Sequence, residues 1–260
     1  MPSVIYGIKY LKLETLFTGK IQYFEAEIGS TNDWAAMAVK NLKVMEGTVF
    51  RAGSQHQGKG QRGRVWASEP NANLLVSYVF YPGFIPAHRQ FVLVQLVSLA
   101  LKSVLDEILI DEVKIKWPND IYVNDLKIAG VLIESTMKGN SVGSSIFGIG
   151  LNVNQRIFEN VPNATSIALE TGKGLDLDRL LSDLSSQLES RYLSLRRDLD
   201  TLSLKYSEAL FRKNQKCEYV IGGQTTLMTP IGVDQLGQIV LEDEYGRVNS
   251  YGFHEARMVI

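Results

Sequence analysis

The sequence predicts an α+β fold: a mixed, largely antiparallel sheet with flanking helices, followed by a small all-β barrel. Three observations carry this prediction. Strand-like and helix-like stretches alternate as far as Arg212. Two adjacent strand pairs, within 113–123 and 127–153, are joined by short turns, which means antiparallel pairing and not βαβ winding. After Lys216 the chain becomes short apolar pieces broken by Gly222-Gly223, Gly232, Gly237, Gly246 and Gly252, the texture of a small barrel. The domain boundary is therefore expected near Lys213 to Lys216, dividing the chain into residues 1–213 and 214–260.

The elements follow in order. Ile21 to Ile28 alternates as a strand. Gly29-Ser30-Thr31-Asn32-Asp33 is rich in capping residues and precedes a helix from Trp34 to Leu42, where Trp34, Met37, Ala38 and Leu42 share one face. Thr48 to Ala52 reads as a strand. Residues 53–64 hold four glycines and almost nothing apolar, so a loop is expected. Leu74 to Tyr81 is a β-rich run ended by Pro82-Gly83. Phe91 to Leu109 is helical and apolar on more than one face, as in a buried helix. Val113 to Trp117 and Ile121 to Val123 flank a Pro118-Asn119-Asp120 turn. Lys127 to Ser135 and Ser145 to Val153 are strands. Amphipathic helices are expected at about 178–198 and 202–212, the first with a leucine stripe best explained as core packing.

Composition narrows the classes. Apolar residues are 45% and charged residues 21%, with 27 cations against 28 acids. That balance does not suit a protein coating nucleic acid or anionic membrane through bulk charge. The single cysteine, Cys217, cannot form an internal disulfide or a Cys-based zinc site. No signal-peptide pattern is read at the start, and no window nears the ~18 uninterrupted apolar residues of a membrane span. A cytoplasmic protein is expected. His56, His88 and His254 are far apart in sequence, so no metal site is read, and no GxSxG elbow is present.

Three segments could carry chemistry. Gly58 to Gly63, GKGQRG, satisfies GxGxxG, but a strand follows it where a dinucleotide fold needs a helix, so that reading is rejected. From Arg51 to Trp66 there are four cations (Arg51, Lys59, Arg62, Arg64) and no acid. With glycine N–H groups nearby, this suits a phosphate or carboxylate as well as it suits a solvated loop. In Lys114 to Asp120, KIKWPND, strand alternation puts Lys114 and Lys116 opposite the face of Ile115 and Trp117. Taken alone, this fits an ordinary solvent lysine. Gly148-Ile149-Gly150-Leu151-Asn152 is a strand whose glycines permit close approach to its backbone. Its Asn152 is a residue type that pairs with an adenine edge, while a simple bulge is the alternative.

Together these pieces resemble biotin–protein ligases. The resemblance rests on Gly29-Ser30-Thr31-Asn32, on Gln55 ahead of Gly58-Lys59-Gly60-Gln61-Arg62-Gly63-Arg64 with Trp66, and on Lys116-Trp117-Pro118-Asn119-Asp120. It continues in Lys127-Ile128-Ala129-Gly130-Val131-Leu132-Ile133-Glu134 and Gly148-Ile149-Gly150-Leu151-Asn152-Val153. Five motifs in order at family-like spacing are a specific signal. The tail, with Gly232-Val233-Asp234 and Phe253-His254-Glu255, is similar to the family's SH3-like domain. The resemblance implies a class II synthetase-like catalytic domain followed by that module. About 20 residues precede the first matching strand, too few for a helix-turn-helix unit, so the single-function form is expected.

The implied activity is ATP-dependent formation of biotinyl-5′-AMP, with Mg²⁺, and transfer of biotin to a lysine of a biotin carboxyl carrier protein or domain. Lys116 would bridge the biotin carboxylate and the α-phosphate, with Arg64 and Asp120 also catalytic. Ser30, Thr31, Asn32, Gln55, Gly58, Lys59, Gly130 and Gly148 would join Lys116 around biotin. Lys59, Gln61, Arg62, Arg64, Trp66, Asn119, Lys127 and Asn152 would bind ATP or the adenylate. No protein-ligated metal, nucleic acid or membrane partner is implied, and homodimer formation is left open. The family usually carries arginine where this chain has Gln61. A lipoate or octanoate ligase of the same fold is the nearest alternative. An octanoyl transferase would need a thiol in the catalytic domain, and Cys217 lies outside it. A non-catalytic sensor of the adenylate is the remaining reading, and the retained Lys116 counts against it.

Overall fold

The structure, a computed structural model, describes residues 7–9, 14–159, 161 and 163–260; the side chain of Arg62 lies outside the described set. Eight strands of the described chain build one sheet. They are β1 (Gly7–Lys9), β2 (Gln22–Ile28), β3 (Val49–Gln55), β4 (Leu74–Phe80), β5 (Val113–Lys116), β6 (Asp120–Val123), β7 (Leu126–Lys138) and β8 (Ser141–Leu151). Their order is β1-β2-β3-β4-β8-β7-β6-β5. β2 and β3 run parallel, because helix α1 (Thr31–Asn41) carries the chain back between them, and the other neighbours are antiparallel. The sheet is thus mixed and largely antiparallel.

Strand β4 shows why both faces are covered. All seven of its residues are buried. Leu74, Val76, Tyr78 and Phe80 face α2 (Phe91–Asp106) and α4 (Leu177–Leu195), meeting Leu93, Leu96, Val97, Leu184 and Leu188 in the main core. Val79, one residue out of phase, joins Trp34, Ala35, Ala38 and Phe50 beneath α1. A strand sandwiched between helices reads as an unbroken apolar run, as this one does. Helix α2 is buried at twelve positions because the sheet, α4 and α5 (Thr201–Glu208) enclose it.

Several boundaries differ from the sequence expectation. Helix α1 starts at Thr31, not Trp34, and Ser30 at its N-cap makes no side-chain cap bond. Thr31 and Asn32 are instead spent on contacts across the sheet, described below. Residues 53–55 are strand rather than loop, since β2 runs on to Ile28 and offers Ser54 and Gln55 partners. Helix α5 stops at Glu208, not Arg212: the Ile115 N–H donates to Ala209 O (2.8 Å) and the Phe211 N–H to Ile115 O (2.9 Å), which covers the exposed edge of β5. A short helix, α3 (Ile167–Thr171), was not legible. It begins where Ser166 Oγ accepts from the Leu169 N–H and ends at Gly172, φ 75°.

The C-terminal residues form β9 (Cys217–Ile221), β10 (Gln224–Val233), β11 (Ile239–Glu242), β12 (Val248–Tyr251) and β13 (Ala256–Met258), in the antiparallel order β12-β11-β10-β9-β13. Gly222 and Gly223, both at positive φ, make the two-residue turn between β9 and β10. The described strands form a five-stranded antiparallel sheet with a register shift in β10, and no pairing of β12 with β13 is seen among them. Among the described residues no helix is long and apolar enough to cross a membrane.

Candidate active site

Sheet register brings the remote motifs together. Lys116 lies opposite Asp120, Asp120 opposite Gly130, Gly130 opposite Gly150, and Gly150 opposite Leu75. Directly opposed residues share a face, so this row crosses five strands on one side of the sheet, the side of α1. Two residues along the strands, the next row holds Leu132, Gly148 and Ser77. Lys116, Asp120, Gly130, Leu132, Gly148 and Gly150 from these rows thereby line one cleft of about 460 Å³.

One end of the cleft is polar and closed. The single Ser77 Oγ proton is shared between Asn32 Oδ1 (2.6 Å) and Thr31 Oγ1 (2.8 Å). The Thr31 N–H and Oγ1–H both reach Gln55 Oε1, at 2.7 and 3.1 Å, while Asn32 Nδ2 donates to Glu134 Oε2 at 2.6 Å. Ser30, Thr31 and Asn32 are buried, and Gln55 is half-buried. The glycines of β8 serve these contacts. A Cβ on Gly148 would sit 2.8 Å from Asn32 Cγ, and one on Gly150 2.8 Å from Trp66 Cδ2. The groups that approach this strand backbone are therefore the protein's own Asn32 and Trp66.

The other end is cationic. Lys116 is held below the ordinary lysine range chiefly by burial, with Lys127, Arg64 and Arg257 pushing the same way and Asp120 opposing. Among the described residues no carboxylate forms an ion pair with it, and its Nζ stands 5.5 Å from the Tyr122 ring. Asp120 instead pairs with Lys127 (2.6 Å), whose Nζ also lies 5.5 Å from the Trp66 ring. Burial, and then the Asp120 charge, push Tyr122 up to about 12, so it stays neutral. Asp120 is the acid on the cleft wall among the described residues, against Lys59, Arg64, Lys116, Lys127 and Arg257.

The strand end carrying Lys116 is gripped at each following residue. Trp117 Nε1 donates to Gly237 O (2.9 Å), Tyr206 Oη donates to Pro118 O (2.7 Å), and Asn119 exchanges hydrogen bonds with Val131 through its Nδ2 and its carbonyl. Asn119 is 7% exposed and is spent on this strand contact.

The glycine-rich segment is closed by its own backbone. The Gly60 N–H donates to Arg64 O (2.7 Å) and the Trp66 N–H to Gly58 O (2.9 Å), with one helical turn at Gln61–Gly63 between them. Lys59 pairs with Asp33 in the first turn of α1, and that bond raises its pKa. Trp66, packed on Gly130 and Gly150, supplies the apolar anchor that the expected loop lacked. Its Nε1 is buried without a partner among the described residues.

Most of the predicted residues meet here, and some do not. Ser30, Thr31, Asn32, Gln55, Lys59, Gln61, Arg64 and Trp66 line the cleft, as do Lys116, Asn119, Asp120, Lys127, Gly130 and Gly148. Gly58 lies off its wall, pressed against the Trp66 carbonyl. Asn152 is also off the wall. Its Nδ2 is committed to Thr165 O (2.9 Å), while its buried Oδ1 has no partner among the described residues. Arg51 belongs to the opposite face, where it pairs with Asp178 of α4. The Arg62 side chain is outside the described residues. Sequence reasoning missed Arg257, Tyr122 and Phe253. Nothing local marks a tail arginine as part of a cleft built mainly by strands far earlier in the chain.

Residues 26–152 match the profile of the Biotin/lipoate A/B protein ligase family. The chain is 31% identical over 231 residues to the bifunctional ligase/repressor BirA of Escherichia coli, covering 84% of this chain and 68% of that protein. It is 31% identical over 238 residues to the biotin–[acetyl-CoA-carboxylase] ligase of Paracoccus denitrificans, covering 85% of this chain and 94% of that one. The fold superposes on the biotin protein ligase of Aquifex aeolicus in complex with biotin and ATP with a TM-score of 0.77, at 24% identity over 92% of this chain and 98% of that structure.

Proposed function

The chain belongs to the biotin–protein ligase family, and we propose that it activates biotin with ATP as biotinyl-5′-AMP and passes the biotinyl group to a lysine of a biotin carboxyl carrier protein. The observation that carries this reading is Lys116: an ammonium held partly out of water, with no ion-pair partner among the described residues, between the polar pocket and a cluster of further cations.

The chemistry brings two anions together. A biotin carboxylate oxygen attacks the α-phosphorus of ATP, the bond to the β-phosphate oxygen breaks, and pyrophosphate leaves with that electron pair. Repulsion between the anions is the barrier, and fixed cations aimed at the developing charge lower it without reorganising. Lys116 would span the carboxylate and α-phosphate, with Arg64 of the loop and Arg257 of the tail adding charge at the same end of the cleft. Lys59 and Lys127 supply further charge for phosphate. The donors and acceptors of Ser30, Thr31, Asn32 and Gln55 match a ureido head, whose N–H and C=O groups need both. In the second step the carrier lysine's amine attacks the acyl carbon, AMP departs, and the amine loses a proton; Asp120 is the nearby carboxylate that can hold it.

Mg²⁺ suits this donor set. Among the described residues no group of three or more His, Cys, Asp or Glu could cage a metal. Mg²⁺ commonly uses one or two carboxylates plus substrate phosphates, so Asp120 is the residue that would hold it alongside ATP. It would supply neutralisation of phosphate charge.

The test is biotin-dependent pyrophosphate release from ATP, run in parallel with lipoate, followed by labelled transfer to a carrier domain. Release with biotin and not lipoate is expected; the reverse would make the chain a lipoate ligase, and release with neither would defeat the reading. A second expected result concerns Gln61. A neutral amide in place of a forked cation lowers the contact to the adenylate phosphate by about 1 kcal/mol. Gln61→Arg should therefore lengthen the bound lifetime of biotinyl-5′-AMP by about fivefold in a chase with unlabelled ligand. An unchanged release rate would show that Lys59, Arg64 and Lys116 hold the phosphate unaided.

A further inference from the structure

The C-terminal sheet touches the main domain at the residue next to Lys116. Trp117 stacks on Phe253 with ring centroids 5.2 Å apart and planes 21° from parallel, while its Nε1 bonds Gly237 O. Phe253 also packs on Phe91, the first residue of α2, at 5.6 Å. Gly237 sits at φ 85° with Phe91 Cβ 2.6 Å from where its own Cβ would be, so no side chain fits there. Two turns of the C-terminal module, at Gly237 and Phe253, thus close on the Trp117 ring. Arg257, four residues beyond Phe253, lines the cleft and repels Lys116. The same module therefore contributes a charge to the cleft and grips the strand end that carries the central lysine.

We infer that Trp117 and Phe253 are a positioning pair, through which the C-terminal sheet sets the placement of Lys116 relative to Arg257 for the phosphate-transfer step. The inference rests on the adenylation reading above. Its physical basis is leverage. Lys116 and Trp117 share a peptide bond, and Asn119 and Tyr206 hold the far side of the same turn. The stack, together with the Trp117 Nε1–Gly237 O bond, ties this turn to the module bearing Arg257. Loss of the ring lets the module shift against Lys116. The polar pocket around Thr31 and Asn32 draws its contacts from α1, β3, β4 and β7, so it stays intact.

Phe253 is 36% exposed, so its truncation spares the core. In the full-length protein, Phe253→Ala is expected to lower kcat for biotin-dependent pyrophosphate release by on the order of tenfold and to raise KM for ATP, since ångström-scale misplacement is enough for such losses. Biotin Kd by calorimetry should stay within twofold. Phe253→Tyr, which restores a ring for stacking, should return kcat to within threefold of wild type. A merely structural role would lower biotin affinity together with kcat. The inference is overturned if Phe253→Ala leaves kcat and ATP KM within twofold, if biotin affinity falls in step with kcat, or if tyrosine does not rescue. Should the alanine variant fail to fold, Phe253→Leu decides by the same criteria. Wild-type protein without biotin-dependent pyrophosphate release would bring down the site reading and this inference together. An active wild type beside an indifferent Phe253→Ala would bring down this inference alone.

Discussion

Replacing Lys116 with methionine is expected to cut biotin-dependent pyrophosphate release by roughly 10²–10³-fold while leaving the protein at least as stable as wild type. The two effects share one cause. Burial lowers the Lys116 pKa, which means that the folded state disfavours its charged form. That penalty is fully present below the folded-state pKa, fades as pH rises from there to the unfolded value and is gone above it, so the free protein carries it at neutral pH. Methionine, similar in length and apolar, removes the penalty and the charge together. The same shift predicts how the wild type responds to pH. Adenylation should fall on the alkaline side earlier than for an ordinary lysine, because a neutral amine no longer holds two anions. Thermal unfolding, pyrophosphate release and its pH profile check all three points. A methionine variant active within threefold of wild type would remove Lys116 from the chemistry.

Gly148→Ala is the second large effect. A methyl there would stand 2.8 Å from Asn32 Cγ, and Asn32 cannot retreat without losing its bonds with Ser77 and Glu134. Two hydrogen bonds contribute together about 1–3 kcal/mol. Biotin affinity by calorimetry should therefore weaken by roughly fivefold to a hundredfold. Combining Gly148→Ala with Asn32→Ala should cost much less than the sum of the single changes, since both act on one contact. Full additivity, or an unchanged Kd in Gly148→Ala, would mean that the polar end of the cleft does not receive the biotin head.

Much of this was legible because it is local. The apolar run of β4 and the all-round apolar α2 are patterns of one segment, and their burial follows from composition alone. The Pro118-Asn119-Asp120 turn and its flanking strands were legible for the same reason. The chemistry-bearing residue types were also readable, because a lysine beside Trp-Pro-Asn-Asp and a cationic glycine segment are stated in the letters themselves.

What failed to show in the letters depended on partners far along the chain. The capping residues Ser30, Thr31 and Asn32 favour a helix start three residues later, until Gln55, Ser77 and Glu134 offer their side chains better hydrogen bonds. Residues 53–55 look like loop until β2 supplies a parallel edge, and α5 would run on if the β5 backbone did not need Ala209 and Phe211.

The sequence by itself determined the set of groups, the mixed α+β class and the position of Lys116 at a strand end, because each is a property of composition and short-range periodicity. Tertiary structure alone decided which of those groups face one another. Sheet register put Lys116, Asp120, Gly130 and Gly150 in one row and sent Arg51 to the other face. The packing of the C-terminal sheet brought Phe253 against Trp117 and Arg257 to the cleft. The physical reason is that a side chain's face is set by its own strand, whereas its neighbours are set by hydrogen bonds between strands and by burial between packed elements.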